Sequence, residues 1–219
     1  MKKILLAIVF ALIGISCYAQ IPYFAGTIGD RNIYTYTSLK VRPGNNAQES
    51  YSTIQYGIGN YFATGADLCT NLGSSFWGIL ARTGIMVSKN FGIGAQITPS
   101  FKLNDSFKFA YLSSALYMNG AITNNEKLFW CSNTIWCLNN GNDITHTIEQ
   151  WTYLGYTIRL NEENSLTPMA GEIHSWRFDE NVDIALGAYY THRNFDFFLW
   201  GNDFFKRKPR VVVGIDYIF

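Results

Sequence analysis

The stretch that decides the fold is Phe91–Lys102, FGIGAQITPSFK. Taken alternately, Phe91, Ile93, Ala95, Ile97, Pro99 and Phe101 fall on one side, and Gly92, Gly94, Gln96, Thr98, Ser100 and Lys102 on the other. Successive side chains of a strand point to opposite faces, so this reads as a strand with one oily face and one face of glycine and polar groups. A helical period of 3.6 would scatter both sets.

Working outward, the same alternation returns twice. Over 182–191, Val182, Ile184, Leu186, Ala188 and Tyr190 oppose Asp183, Ala185, Gly187, Tyr189 and Thr191. Over 210–219, Val211, Val213, Ile215, Tyr217 and Phe219 oppose Arg210, Val212, Gly214, Asp216 and Ile218. Eleven turn clusters rich in Gly, Asn, Asp, Pro and Ser punctuate the chain, among them RPGNNAQES, LNDS, NNGNDITH and LNEEN. Eleven turns imply twelve strands, placed near 33–42, 51–58, 61–69, 77–88, 91–102, 107–118, 126–138, 147–159, 165–177, 182–191, 194–201 and 210–219. Those at 51–58, 61–69 and 194–201 are short for the ~9–11 residues that a tilted membrane strand needs. Ten or eight strands are therefore open alternatives.

The chain opens with Lys2 and Lys3, an apolar run from Ile4 to Ile15, and Ser16, Cys17, Tyr18, Ala19. This order has the form of a secretory signal over 1–19 with cleavage before Gln20, leaving 20–219 as the barrel domain. An uncleaved anchor, or lipid attachment at Cys17, is the alternative. No later apolar run approaches the ~20 residues of a membrane-spanning helix, so any membrane assignment rests on strands. With 14 Tyr, 16 Phe, 6 Trp and 19 Gly but only 5 Pro, the composition suits aromatic belts and close-packed strands. Without Lys2 and Lys3 the charges stand at 15 basic to 16 acidic, a net charge of about −1 with no nucleic-acid footprint.

These features lead to an all-β, antiparallel transmembrane barrel, its charged faces inward and its oily faces toward lipid. A soluble periplasmic β-sandwich would show the same alternation with its apolar faces turned inward. Regular strand-and-turn spacing along the whole length, with no helical segment, favours the barrel. The ending RVVVGIDYIF, with Phe219 last and Tyr217 two before it, resembles the C-terminal assembly signal of bacterial outer-membrane proteins. The hairpin style of YGIGNYFATGADL and SKNFGIGAQITPSF resembles small porin-like barrels, including transporters of aromatic-degradation pathways. The resemblance implies a Gram-negative outer membrane, its lipid, and the barrel assembly machinery engaging the strand that ends at Phe219.

Facing lipid at mid-depth, Arg or Lys costs about 2–4 kcal/mol. Charged residues on the polar faces therefore belong in the lumen: Lys40, Arg42, Asp67, Arg82, Lys102, Lys108, Glu149, Arg159, Arg177, Asp183, Asp196, Arg210 and Asp216. They can line a pore, or pair into a plug that fills a narrow barrel. Around 165–177 the alternation fails, since Glu172 and His174 share a face with Leu166, Ala170 and Trp176.

Cys131 and Cys137 are a possible disulfide in an oxidising compartment. On one continuous strand, however, six residues at ~3.3 Å put them about 20 Å apart, and a disulfide needs Cα atoms within ~7 Å. Strand and bond exclude each other. Cys69 has no evident partner. The histidines suggest at most a hydrolase at the barrel rim, with His174 beside Ser175, His146 in THT, and His192 near Asp196. GIGN and GIG lack a strand-to-helix context for phosphate, and no cofactor motif is present. The functional reading is a narrow passive channel for small polar or anionic solutes. A closed structural or partner-binding barrel and a lipid-acting rim hydrolase are its competitors.

Overall fold

The computed structural model describes residues 24–43, 48–71, 73–139, 145–175, 182–204 and 209–219. The leader at 1–19, Arg177 and Trp176 lie outside the described residues. In chain order the strands are β1 (Ile33–Val41), β2 (Gln48–Ile58), β3 (Phe62–Asn71), β4 (Ser74–Ser88), β5 (Phe91–Lys102), β6 (Phe109–Ala121) and β7 (Leu128–Asn139). Then come β8 (Thr145–Tyr156), β9 (Ile158–Arg159), β10 (Asn164–Ser175), β11 (Val182–His192), β12 (Phe195–Asn202) and β13 (Arg210–Ile218). The two-residue β9 continues β8 past a break at Thr157, so the thirteen segments form twelve staves.

Each stave pairs antiparallel with its sequence neighbour, and the last closes on the first, with Tyr36 opposite Asp216. Every ladder donor and acceptor thereby finds a partner without water, the condition a bilayer imposes on backbone. The strands at 51–58 and 61–69 extend to Gln48–Ile58 and Phe62–Asn71, which gives them crossing length. Only β12 stays at eight residues. Twelve staves ~4.8 Å apart and tilted by ~40° make a cylinder of backbone radius about 12 Å. Inward side chains then leave room for a passage roughly 10 Å across, unless something fills it.

The oily series of β5, β11 and β13 points outward. Leu199 is 56% exposed and Val182 53% exposed, which only a lipid surround makes sensible. A buried sandwich core is thus excluded. Two aromatic bands flank this surface. At the end where β1 begins and β13 finishes, Tyr217 lies between Phe195 and Phe219, at ring distances of 4.0 and 4.3 Å. At the other end Trp77, Phe101, Phe107 and Phe109 form a connected group with centroids 5.7 to 6.3 Å apart. Amphipathic rings at both interfaces fix the depth of an outer-membrane barrel. The end where β1 begins, with its short turns at 59–61, 89–90 and 193–194, is the periplasmic one.

Candidate functional site: the lumen

The lumen divides into an outer half lined by charged side chains and an inner half that the chain's own residues 24–29 enter. At the outer mouth, Lys40 Nζ donates to Glu49 Oε1 at 2.8 Å across the β1–β2 pair. Arg42 donates to Asp203 Oδ2, and Arg210 Nη2 reaches the same oxygen at 3.3 Å. Trp151 Nε1 donates to Glu149 Oε2 at 3.1 Å. Lys102 turns inward at the end of β5. Four cations, Lys40, Arg42, Lys102 and Arg210, thus share this vestibule with four acids, Glu49, Glu149, Asp203 and, at the outer end of β11, Asp183.

The inner half is filled by the chain's own residues 24–29, which precede β1. Ala25 is wholly buried there, and its N–H donates to Asn119 Oδ1 at 2.8 Å. Arg82 donates to the carbonyls of Phe24 and, at 3.3 Å, Gly26. Phe24 meets Phe129 edge to face at 5.5 Å. Gly84 and Gly94 make the space: a Cβ on either would sit 1.8 or 2.3 Å from the Ala25 carbonyl oxygen. On the facing wall an inward aromatic chain runs from Tyr51 through Tyr36, Phe198, Tyr189 and Trp200 to Tyr153, with ring distances of 4.8 to 6.0 Å. At the periplasmic end Asp196 and Asp216 stand directly opposite one another, each 2% exposed.

Of the residues expected in the lumen, Lys40, Arg42, Asp67, Arg82, Lys102, Glu149, Asp183, Asp196, Arg210 and Asp216 have inward register. Lys108 does not. It sits in the exposed turn before β6 and bonds Asp105 at 3.2 Å, because the strand starts one residue later, at Phe109. Arg159 is exposed at the periplasmic rim, where the break at Thr157 ends the wall.

Cys131 and Cys137 carry no disulfide; they lie on the unbroken strand β7, six residues apart and both facing the lumen, and the ladder keeps them too far apart to bond. The histidine pairings fail for a related reason. His174 faces the membrane while its neighbour Ser175 faces the lumen. His192 is the last residue of β11 rather than a turn residue; its Nδ1 meets Asn164 Oδ1 at 2.8 Å, whereas Asp196 points inward. Of His146, only the backbone, at the start of β8, is described. Neither His174 with Ser175 nor His192 with Asp196 forms a hydrolytic pair.

A closed cylinder of twelve antiparallel staves with lipid-facing girdles decides the class. The chain folds as an outer-membrane β-barrel. Its fold is similar to a KdgM porin, with a TM-score of 0.61, 11% identity, and 84% of this chain matched to 98% of that one. A NanC porin aligns at a TM-score of 0.59 and 10% identity, with the same coverage. A KdgM porin in complex with disordered oligogalacturonate aligns at 0.58 and 10%. No family model and no curated protein matches the sequence. The residues that reasoning on sequence missed are Phe24 to Gly29, whose signal was indirect: three small residues, Gly84, Gly92 and Gly94, face one point of the lumen.

Proposed function

We propose that this barrel is a narrow passive channel for small polar solutes. The observation that carries the reading is the lumen's shape: a vestibule rimmed by Lys40, Arg42, Lys102 and Arg210 that narrows onto residues 24–29. Passage then requires solute to slip past, or shift, the N-terminal segment. Similarity in fold to porins, one of them in complex with oligogalacturonate, supports the reading. Folded protein in planar bilayers tests it: discrete openings are expected, and a silent bilayer overturns it.

The packed inner half favours a second reading, a closed barrel that serves envelope structure. It predicts that same silence. The mature chain from Gln20, lipid contact through the girdles, and assembly through the strand ending at Phe219 belong to either reading.

A further inference from the structure

Near the periplasmic end of the lumen, a row of inward side chains crosses four neighbouring strands. Register sets Thr191 on β11 opposite Asp196 on β12, Asp196 opposite Asp216 on β13, and Asp216 opposite Tyr36 on β1. Tyr34, two residues nearer the periplasm on β1, is the diagonal neighbour of Asp216, and its phenol lies within electrostatic reach of both acids. Tyr36 takes no part, because its hydroxyl turns to Ser38 and its ring stacks on Phe198 at 5.3 Å.

The oxygens of this row are left unanswered. Asp196 Oδ1, Asp216 Oδ2, Thr191 Oγ1 and the Tyr34 hydroxyl are each buried without a hydrogen-bond partner. Tyr34 is 3% exposed and Thr191 8%. The two carboxyls lean on one another, within hydrogen-bond reach across the β12–β13 pair. Among the described residues no ion pair meets either acid. Arg82, a guanidinium that shares the inner half, holds the Phe24 and Gly26 carbonyls and covers the Tyr117 ring instead.

Buried carboxylates are paired or coordinate a metal. Two acids bring two negative charges, which a divalent ion neutralises and a monovalent one does not. Only oxygens converge, with no thiol or imidazole beside them, and that donor set selects a hard cation over zinc or copper. Calcium accepts carboxylates and neutral oxygens in flexible geometry, whereas magnesium demands a near-ideal octahedron. We infer that Asp196 and Asp216, with the hydroxyls of Tyr34 and Thr191, form a calcium-type cation site on the inner wall of the barrel, with water completing the shell. Because Asp216 stands on β13 and Tyr34 on β1, a bound ion ties the last strand to the first. The site does not depend on whether the barrel conducts.

The test uses the full chain folded into phosphatidylcholine vesicles, with terbium as a luminescent stand-in for calcium. Terbium emission excited through the protein's aromatic rings is expected, and calcium should displace it. In D196N/D216N, terbium should bind at least about tenfold more weakly, since losing a direct ligand costs no less than losing an outer-shell partner. Y34F, which keeps both carboxylates, should also bind it more weakly while retaining heat-modifiable mobility. Calcium should raise the urea midpoint of the wild type above its value in chelator and leave that of D196N/D216N unmoved. In chelator the pair stands bare and its desolvation cost remains. No calcium-displaceable emission, affinity unchanged in D196N/D216N or in Y34F, or a midpoint that calcium moves equally in wild type and D196N/D216N would each overturn the site.

Discussion

The Arg82 guanidinium lies over the Tyr117 ring, 4.5 Å from its centroid, while its Nη2 holds the carbonyls of Phe24 and Gly26. One cation thus ties the wall at β4 and β6 to the segment that blocks the lumen. Charged donors contribute about 1.5–3 kcal/mol per hydrogen bond, and each ~1.4 kcal/mol is tenfold in population. Arg82→Ala should therefore release residues 24–29 from the inner half more than about tenfold as often. Single-channel recording is expected to show larger or longer openings than wild type. Unchanged conductance from a folded variant would separate the segment from gating.

Selectivity should follow Asp203. Its carboxylate compensates both Arg42 and Arg210 at the outer mouth. In Asp203→Asn two guanidiniums stand uncompensated, and the reversal potential under a salt gradient should move toward the anion value. Arg42→Gln should move it the other way. Both shifts should shrink in 1 M salt, where the screening length is about 3 Å against about 10 Å at 0.1 M.

Thiol labelling reads the two halves of the lumen separately. Cys69 and Cys137 are half-buried toward the vestibule, whereas Cys131 is wholly buried. A charged methanethiosulfonate added to the folded barrel should give two adducts by intact mass, and Cys137→Ser should remove one. Denaturation should add a third, at Cys131. Complete labelling of Cys131 without denaturation would mean that the inner half is open.

The facing acids at the periplasmic end should be a fault in stability. Two carboxyls set directly opposite one another carry a desolvation cost, and Asp196 and Asp216 occupy such positions with almost no solvent. Asp196→Asn keeps the shape and gives Asp216 a donor. It should stabilise the barrel by about 1 kcal/mol, seen as a higher urea midpoint for vesicle-inserted protein. A lower midpoint would show that the pair is held by a cation or solute that the substitution expels.

Much of the cylinder was legible because lipid on one side and water on the other force a period of two, and Phe91 to Lys102 obeys it at every position. Turn chemistry counted the staves, although it could not place strand ends such as Phe109 against Lys108 to better than a residue or two. Glu172 and His174 defied orientation for a physical reason: there the wall carries polar groups outward and apolar ones inward, so alternation alone picks no side. The obstructing stretch at Phe24 to Gly29 was invisible because it forms no strand and its contacts are long-range, as between Ala25 and Asn119. Cys131 and Cys137 show the converse, where ladder geometry alone decides against a bond that spacing suggests.

The seam between β1 and β13 has a consequence for how the molecule is made. Tyr36 cannot meet Asp216 until nearly the whole chain has been delivered, so the hoop closes last and over the longest loop available. Phe24 to Gly29 sit just upstream of that seam, so their berth beside Arg82 and Asn119 is complete only once the hoop that encloses it has been joined.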